Sequence, residues 1–198
     1  MNINSEQLVF AKQTHSANIQ IVREKNQEAP YADTDGLITN VKGICLCIQT
    51  ADCTPILLVD PIHEVVAAIH AGWRGTAQNI TGTAISLMQQ NFGTNPSQVI
   101  AYIGPCISQE IYEVGSDVYE AFSAHGLANE KIFKASNTPG KYYCNLNRAN
   151  TELLLRHGVL NDNIKTDNHC TYQQNELYYS ARRDGGKTGR IITGIMIN

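Results

Sequence analysis

Six short segments rich in isoleucine and valine fall within the first seventy residues, and they constrain the fold more than any other feature of the chain. They are QLVFA (7–11), NIQIVR (18–23), GLIT (36–39), ICLCIQ (44–49), PILLV (55–59) and EVVAAIH (64–70), punctuated by glycine, aspartate and proline. Runs of this kind read as strands. The pattern then changes. TAQNITGTAISLMQQN (76–91) puts Ile80, Ala84, Leu87 and Met88 near one helical face, and Gly93 and Pro96 mark its stop. QVIAYI (98–103) reads as a strand entering the turn Gly104-Pro105. Residues 116–125 read as a helix, with Ser116 as N-cap and Val118 and Phe122 four apart. Residues 146–157 form another, with Leu146, Ala149, Leu153 and Leu154 on one face and Gly158 as the stop. A strand at 190–197 closes the chain. Strands outnumber helices and come in an early run, so the expected class is α+β. With 198 residues, 42 % of them hydrophobic, and no repeat or linker, one domain over 1–198 is expected to bury a sizeable core.

The formal net charge of −3 leaves no footprint for a nucleic-acid backbone or an anionic membrane. MNINSEQLVF at the start has no basic stretch and no long apolar run, and nothing later approaches the ~18 apolar residues of a spanning helix. A cytoplasmic protein without nucleic-acid or membrane partners is expected. None of the six cysteines forms a Cys-x-x-Cys pair, so neither a zinc ribbon nor a thioredoxin-like site is indicated. Cys45, Cys47 and Cys144 read as small buried hydrophobes, and Cys106 and Cys170 as packing residues. A second metal at His169 and Cys170 would lack a visible third ligand.

Three segments carry residues suited to chemistry. TADCTP (50–55) sets Asp52 and Cys53 where one apolar strand ends and the next begins. AAIHAGWRGT (67–76) delivers His70 from a strand into a turn whose glycines let backbone approach a ligand, with Trp73 and Arg74 between them. KQTHS (12–16) adds Lys12 and His15. His15, Cys53 and His70 form a two-nitrogen, one-sulfur donor set of the kind zinc prefers, leaving a fourth position open for catalysis. Each residue alone has a plainer reading, as a hydrogen-bonded histidine or an inert buried cysteine, and separations of 38 and 17 residues define no site by themselves.

Taken together, KQTHS (12–16), TDGLIT (34–39), TADCTPILLVDP (50–61), AAIHAGWRGT (67–76), IGPCISQEIYEVG (103–115) and CTYQQNELYYSARRDGGKTGR (170–190) resemble the laccase-domain family. This YfiH-like family has been labelled both multicopper polyphenol oxidase and purine nucleoside phosphorylase. The resemblance spans nearly the whole chain. It implies a layered α+β sandwich of mixed β-sheets flanked by helices, distantly similar to a bacterial toxin with a Cys-His deamidase site. It also implies zinc on His15, Cys53 and His70, with purine nucleoside phosphorolysis and adenosine deamination at that one site. Two departures stand out. Family members usually carry several dozen residues before KQ-x-H, including a Ser-Thr-Arg-x-Gly-Gly segment, so part of the substrate pocket is expected to be missing. Where the family tends to have Asp-Leu, this chain has Asn145-Leu146.

On this reading the substrates are a nucleoside and phosphate. Asp52 carries a proton, Cys53 acts as a metal ligand, and Arg74, Arg182 and Arg183 are the forks for phosphate, with Lys12 a further substrate-binding cation. Tyr112, Tyr178 and Tyr179 are available to stack a purine. Three alternatives stay open: a metal-free hydrolase or deamidase with Cys53 as nucleophile and His70 as base, a non-enzymatic binding protein, and a copper phenol oxidase. The last is the weakest. The six histidines include no two separated by one residue and do not supply a multicopper centre, although adventitious copper in the same site fits weak oxidation.

Overall fold

The computed structural model describes residues 4–24 and 31–198. Of the opening stretch weighed above for a leader, residues 1–3 lie outside the described residues. The strands in chain order are β1 (Leu8–Phe10), β2 (Ile19–Ile21), β3 (Gly36–Thr39), β4 (Cys45–Thr50), β5 (Thr54–Asp60), β6 (Val65–Ala71), β7 (Ile100–Ile103), β8 (Glu113–Gly115), β9 (Phe133–Ala135), β10 (Lys141–Cys144), β11 (Ile164–Thr166) and β12 (Ile191–Met196). The helices are α1 (Trp73–Ala77), α2 (Ile80–Phe92), α3 (Ser116–Ser123), α4 (Leu146–Arg156) and α5 (Ala181–Asp184).

A mixed six-stranded sheet, in the order β11-β7-β5-β6-β3-β2, forms the middle layer. β6 lies inside this sheet and is buried along its whole length, which is why VVAAIHA is apolar without alternation. Its period-two geometry sorts side chains to two cores. Ala67 and Ile69, with Ile56 and Leu58 of β5, meet Ile80, Ala84, Ile85 and Met88 of α2 and Leu154 of α4. Val66 and Ala68, on the other face, meet Leu46 and Ile48 of β4. β4 belongs to a second sheet, β1-β4-β12, in which β1 runs parallel and β12 antiparallel to it. Helices, sheet and second sheet are the layers of the expected sandwich. A third, antiparallel sheet, β8-β10-β9, packs Val114, Phe133 and Cys144 against Val118 and Phe122 of α3 and Leu146 and Leu153 of α4.

The helix expected over 76–91 is divided in two. Asn79 adopts a left-handed conformation (φ 62°) and caps α2, its side chain accepting from Gly82 N at 3.2 Å. Asparagine tolerates that conformation because its short polar side chain bonds locally. The N-cap of α3 is Gly115, not Ser116, and no side chain caps it. Asn145 caps α4, accepting from Arg148 N at 2.9 Å, so it does the capping that an aspartate at this position would do. No helix among the described residues is long and apolar enough to cross a membrane.

Candidate functional site

The register of the middle sheet brings the chemistry-bearing segments to one rim. β5 begins at Thr54, opposite Ala71 at the end of β6, and His70 pairs with Pro55. Cys53 therefore enters its strand where His70 leaves its own. β3 starts beside them, and Asp35, just before it, accepts from His70 N on its backbone oxygen at 2.7 Å. The loop after β1 supplies His15, in a left-handed conformation with φ 64°.

Asp35 holds this loop. Its carboxylate, wholly buried, accepts from Thr14 N at 3.1 Å, His15 N at 3.0 Å, and Ser16 N and Oγ, both at 2.7 Å. The same group lies 2.8 Å from His70 Nδ1, so it engages one imidazole nitrogen and leaves Nε2 for a ligand. The two imidazole rings sit edge to face, 5.0 Å between centroids. The ligating atoms of His15, Cys53 and His70 all lie within 4.8 Å of one another, the one such grouping of three or more His, Cys, Asp or Glu among the described residues. Gly72 closes the site from below. A Cβ there would stand 3.0 Å from His15 Cδ2 and 3.1 Å from Cys53 Sγ, so the turn admits only glycine without displacing the donors. Two imidazoles, one thiolate and a carboxylate behind one imidazole suit zinc.

The electrostatics favour a thiolate beside an imidazolium, so metal binding here would release the His70 proton. Burial opposes the charged form of Asp35, but hydrogen bonds from His70, Ser16 and Thr14 hold its carboxyl well below the usual carboxylate range. Burial would lower His70, while Asp35 and Cys53 raise it to about 9. Burial also raises the Cys53 thiol, and hydrogen bonds with His15 and His70 bring it down to about 6. The lowered thiol favours the thiolate, the form that binds metal or attacks an electrophile.

A cavity of about 540 Å³ opens on the trio, lined also by Phe10, Lys12, Gln13, Gln49, Ala51 and Arg190. Lys12 is thus beside the donors. The other expected polar residues are placed differently. Asp52 does not line the cavity: its oxygens accept from Thr171 Oγ1 and Arg182 N, both at 2.7 Å, so it fastens the Cys53 corner to α5. Arg74 is exposed outside the cavity with its guanidinium 4.3 Å from the Trp73 ring centroid. Arg182 leans on Tyr112 and donates to Glu113 O at 3.2 Å. Arg183 donates to the carbonyls of Thr171, Tyr172 and Tyr178 and twice to Asp184, which uses all five guanidinium hydrogens. No fork remains on it for phosphate. Tyr112, Tyr178 and Tyr179 are also absent from the lining.

The family described as multi-copper polyphenol oxidoreductase laccase matches residues 1–198. The chain belongs to this family. It is 41 % identical to a purine nucleoside phosphorylase of Bacteroides thetaiotaomicron, over 98 % of this chain and 74 % of that one. It is 36 % identical to adenosine deaminase RL5 from an unknown prokaryotic organism, over 98 % and 77 %. Its fold matches the crystal structure of Bacillus licheniformis hypothetical protein YfiH with a TM-score of 0.93 at 32 % identity, covering 98 % of this chain and 75 % of that chain. Curated members of this laccase-type family are thus named as enzymes.

Among the described residues the family's copper-oxidase label finds no second cluster of three or more potential metal ligands beside the trio. His63 pairs with Asp60, His157 with Asn79 and His169 with Asp167, away from the trio. Cys106 and Cys170 are buried and face each other across an isolated bridge, as packing residues do. Cys45, Cys47 and Cys144 are buried, and none of the six cysteines is in a disulfide. Two residues at the site were not singled out from the sequence, Asp35 and Arg190. Asp35 carried a signal, an aspartate opening the apolar strand GLIT, where a buried carboxylate needs donors.

Proposed function

We propose that this protein is a zinc-dependent purine nucleoside phosphorylase that also deaminates adenosine at the same site. The observation that carries the reading is the His15–Cys53–His70 trio opening on a cavity of about 540 Å³, large enough for a nucleoside. The names of the relatives support the substrate class. Zinc held by these three residues would supply Lewis-acid chemistry.

In phosphorolysis, a phosphate oxygen bonds to ribose C1′ as the C1′–N9 bond breaks. The electron pair leaves with the purine, which takes up a proton, giving free base and ribose 1-phosphate. In deamination, a water oxygen bonds to C6 and the amino group leaves as ammonia, giving inosine. The chain's own part is to bind and orient. Phe10, Ala11, Ala51 and Ala181 offer apolar surface. Gln13 is tied to the Gln49 backbone by two 2.7 Å hydrogen bonds, which leaves the Gln49 side-chain amide free to face the substrate. Asp52 acts as a positioning residue, holding the Cys53 corner.

The thiolate–imidazolium character of Cys53 and His70 supports a second reading, a metal-free hydrolase in which Cys53 is the nucleophile. One experiment separates them. Protein of known metal content is incubated with adenosine or inosine, with and without phosphate, and base, inosine and ribose 1-phosphate are followed by chromatography. Phosphate-dependent base release that disappears in His15→Ala supports the nucleoside enzyme. Turnover of amide substrates that survives His15→Ala supports the hydrolase.

A further inference from the structure

We infer that Arg190, together with Lys12, forms the subsite that holds the phosphate dianion. The inference rests on the phosphorolysis reading and names a site residue for it. The chain carries a net charge of −3, yet among the described residues no carboxylate lines the cavity that contains the trio. The lysine and arginine of its described lining are Lys12 and Arg190, on opposite segments of the chain, before β2 and before β12. Two cationic side chains on one cavity raise the local concentration of an anion.

The two cations are suited to this by what they do not bond. Lys12 Nζ has no hydrogen bond or ion pair among the described residues, so its three donors are available. Arg190 Nη1 donates to Thr188 O at 2.6 Å and Gly189 O at 3.0 Å, and Nη2 donates to Gly186 O at 3.2 Å. Of its five guanidinium hydrogens, the one on Nε and one on Nη2 stay unpaired, the two that a bidentate oxyanion contact requires. Three carbonyls already fix the fork, so less side-chain freedom is lost on binding. Gly189 supports this arrangement: a Cβ there would stand 2.7 Å from the Tyr179 ring, so the residue before Arg190 lies flat on that ring. The other arginines of the carboxyl-terminal segment do not compete. Arg183 has no free donor, and Arg182 turns to Tyr112 and the Glu113 carbonyl.

The test uses the whole zinc-loaded protein and inorganic phosphate. Initial rates of inosine cleavage are measured against phosphate for the wild type, Arg190→Ala, Arg190→Lys and Lys12→Ala, with Lys187→Ala as a control in the same loop but outside the cavity. Arg190→Ala is expected to raise the phosphate KM at least tenfold and leave the inosine KM within about twofold. Arg190→Lys should recover only part of it, because an ammonium lacks the fork. In parallel, the shift in melting temperature caused by phosphate, against chloride at matched ionic strength, is recorded for each protein. It should shrink in Arg190→Ala and Lys12→Ala and stay unchanged in Lys187→Ala. A phosphate KM and a thermal shift both unaltered in Arg190→Ala overturn the inference. If the wild type cleaves no nucleoside but phosphate still protects it through Arg190, the subsite stands and the phosphorolysis reading falls.

Discussion

Replacing Asp35 with asparagine keeps the size of the side chain and removes only its charge and one acceptor, so the result reports on what the carboxylate holds. One oxygen accepts from His15 N and faces His70 Nδ1, and the other accepts from Thr14 N, Ser16 N and Ser16 Oγ. An amide nitrogen in either place confronts at least two donors. Losing two hydrogen bonds to a charged group, at about 1.5–3 kcal/mol each, costs about 3–6 kcal/mol. That agrees with the roughly 3–5 kcal/mol typical of breaking a buried ionic pair. For a chain of this length each kcal/mol moves the melting temperature by about 2–4 °C, so a fall of roughly 6–24 °C is expected. Two of the three donors lose their support, so zinc affinity should drop about 10–100-fold. Denaturant unfolding of the metal-free protein gives the first quantity, and competition against a chromophoric chelator gives the second. An asparagine variant with the stability and zinc affinity of the wild type would refute the assignment.

Gly72→Ala puts a methyl group 3.0–3.1 Å from His15 and Cys53; chelator competition should show weaker zinc binding with far-UV circular dichroism unchanged. Arg183→Ala releases the carbonyls of Thr171, Tyr172 and Tyr178, so the segment carrying them should become sensitive to limited proteolysis. Lysine at 183 should not restore resistance, because one ammonium cannot span those carbonyls as the planar fork does. Asp60 caps the β5–β6 turn, accepting from Ile62 N at 2.9 Å and His63 N at 3.1 Å. Burial would raise its carboxyl, but the hydrogen bonds from His63 and Ile62 help to hold it below the usual range. A depressed folded-state pKa contributes stability above the unfolded value of about 4 and loses it as pH falls further. Asp60→Asn should therefore unfold more easily at pH 7 and show a flatter decline in stability on acidification.

The α+β class was legible because its strand and helix signals are local, whereas the layering was an expectation from the family resemblance. β3 matches GLIT to the residue, and the other early strands shift by one or two positions. Elements whose cause is tertiary were not. β8, β9, β10 and β11 are three or four residues long and carry too little pattern to announce themselves, yet pairing and the α3–α4 packing make them strands. The break at Asn79 depends on a left-handed residue inside an otherwise helical run. At the site, the donor trio was legible as residue types, and its convergence comes from the Thr54–Ala71 register, which no spacing states. The arginines could not be told apart by sequence. Arg183 and Arg190 share one segment, and only the direction of each guanidinium separates the one that fastens loops from the one that faces the cavity.

The central claim is that His15, Cys53 and His70 hold one zinc on which turnover depends. The most direct measurement is elemental metal analysis of the wild type and of His15→Ala, Cys53→Ala and His70→Ala, each assayed for phosphate-dependent base release from inosine. The account predicts one zinc per wild-type chain, its loss in every variant, and activity that follows zinc occupancy when the metal is removed by a chelator and restored. Full turnover in a zinc-free His15→Ala protein would contradict it.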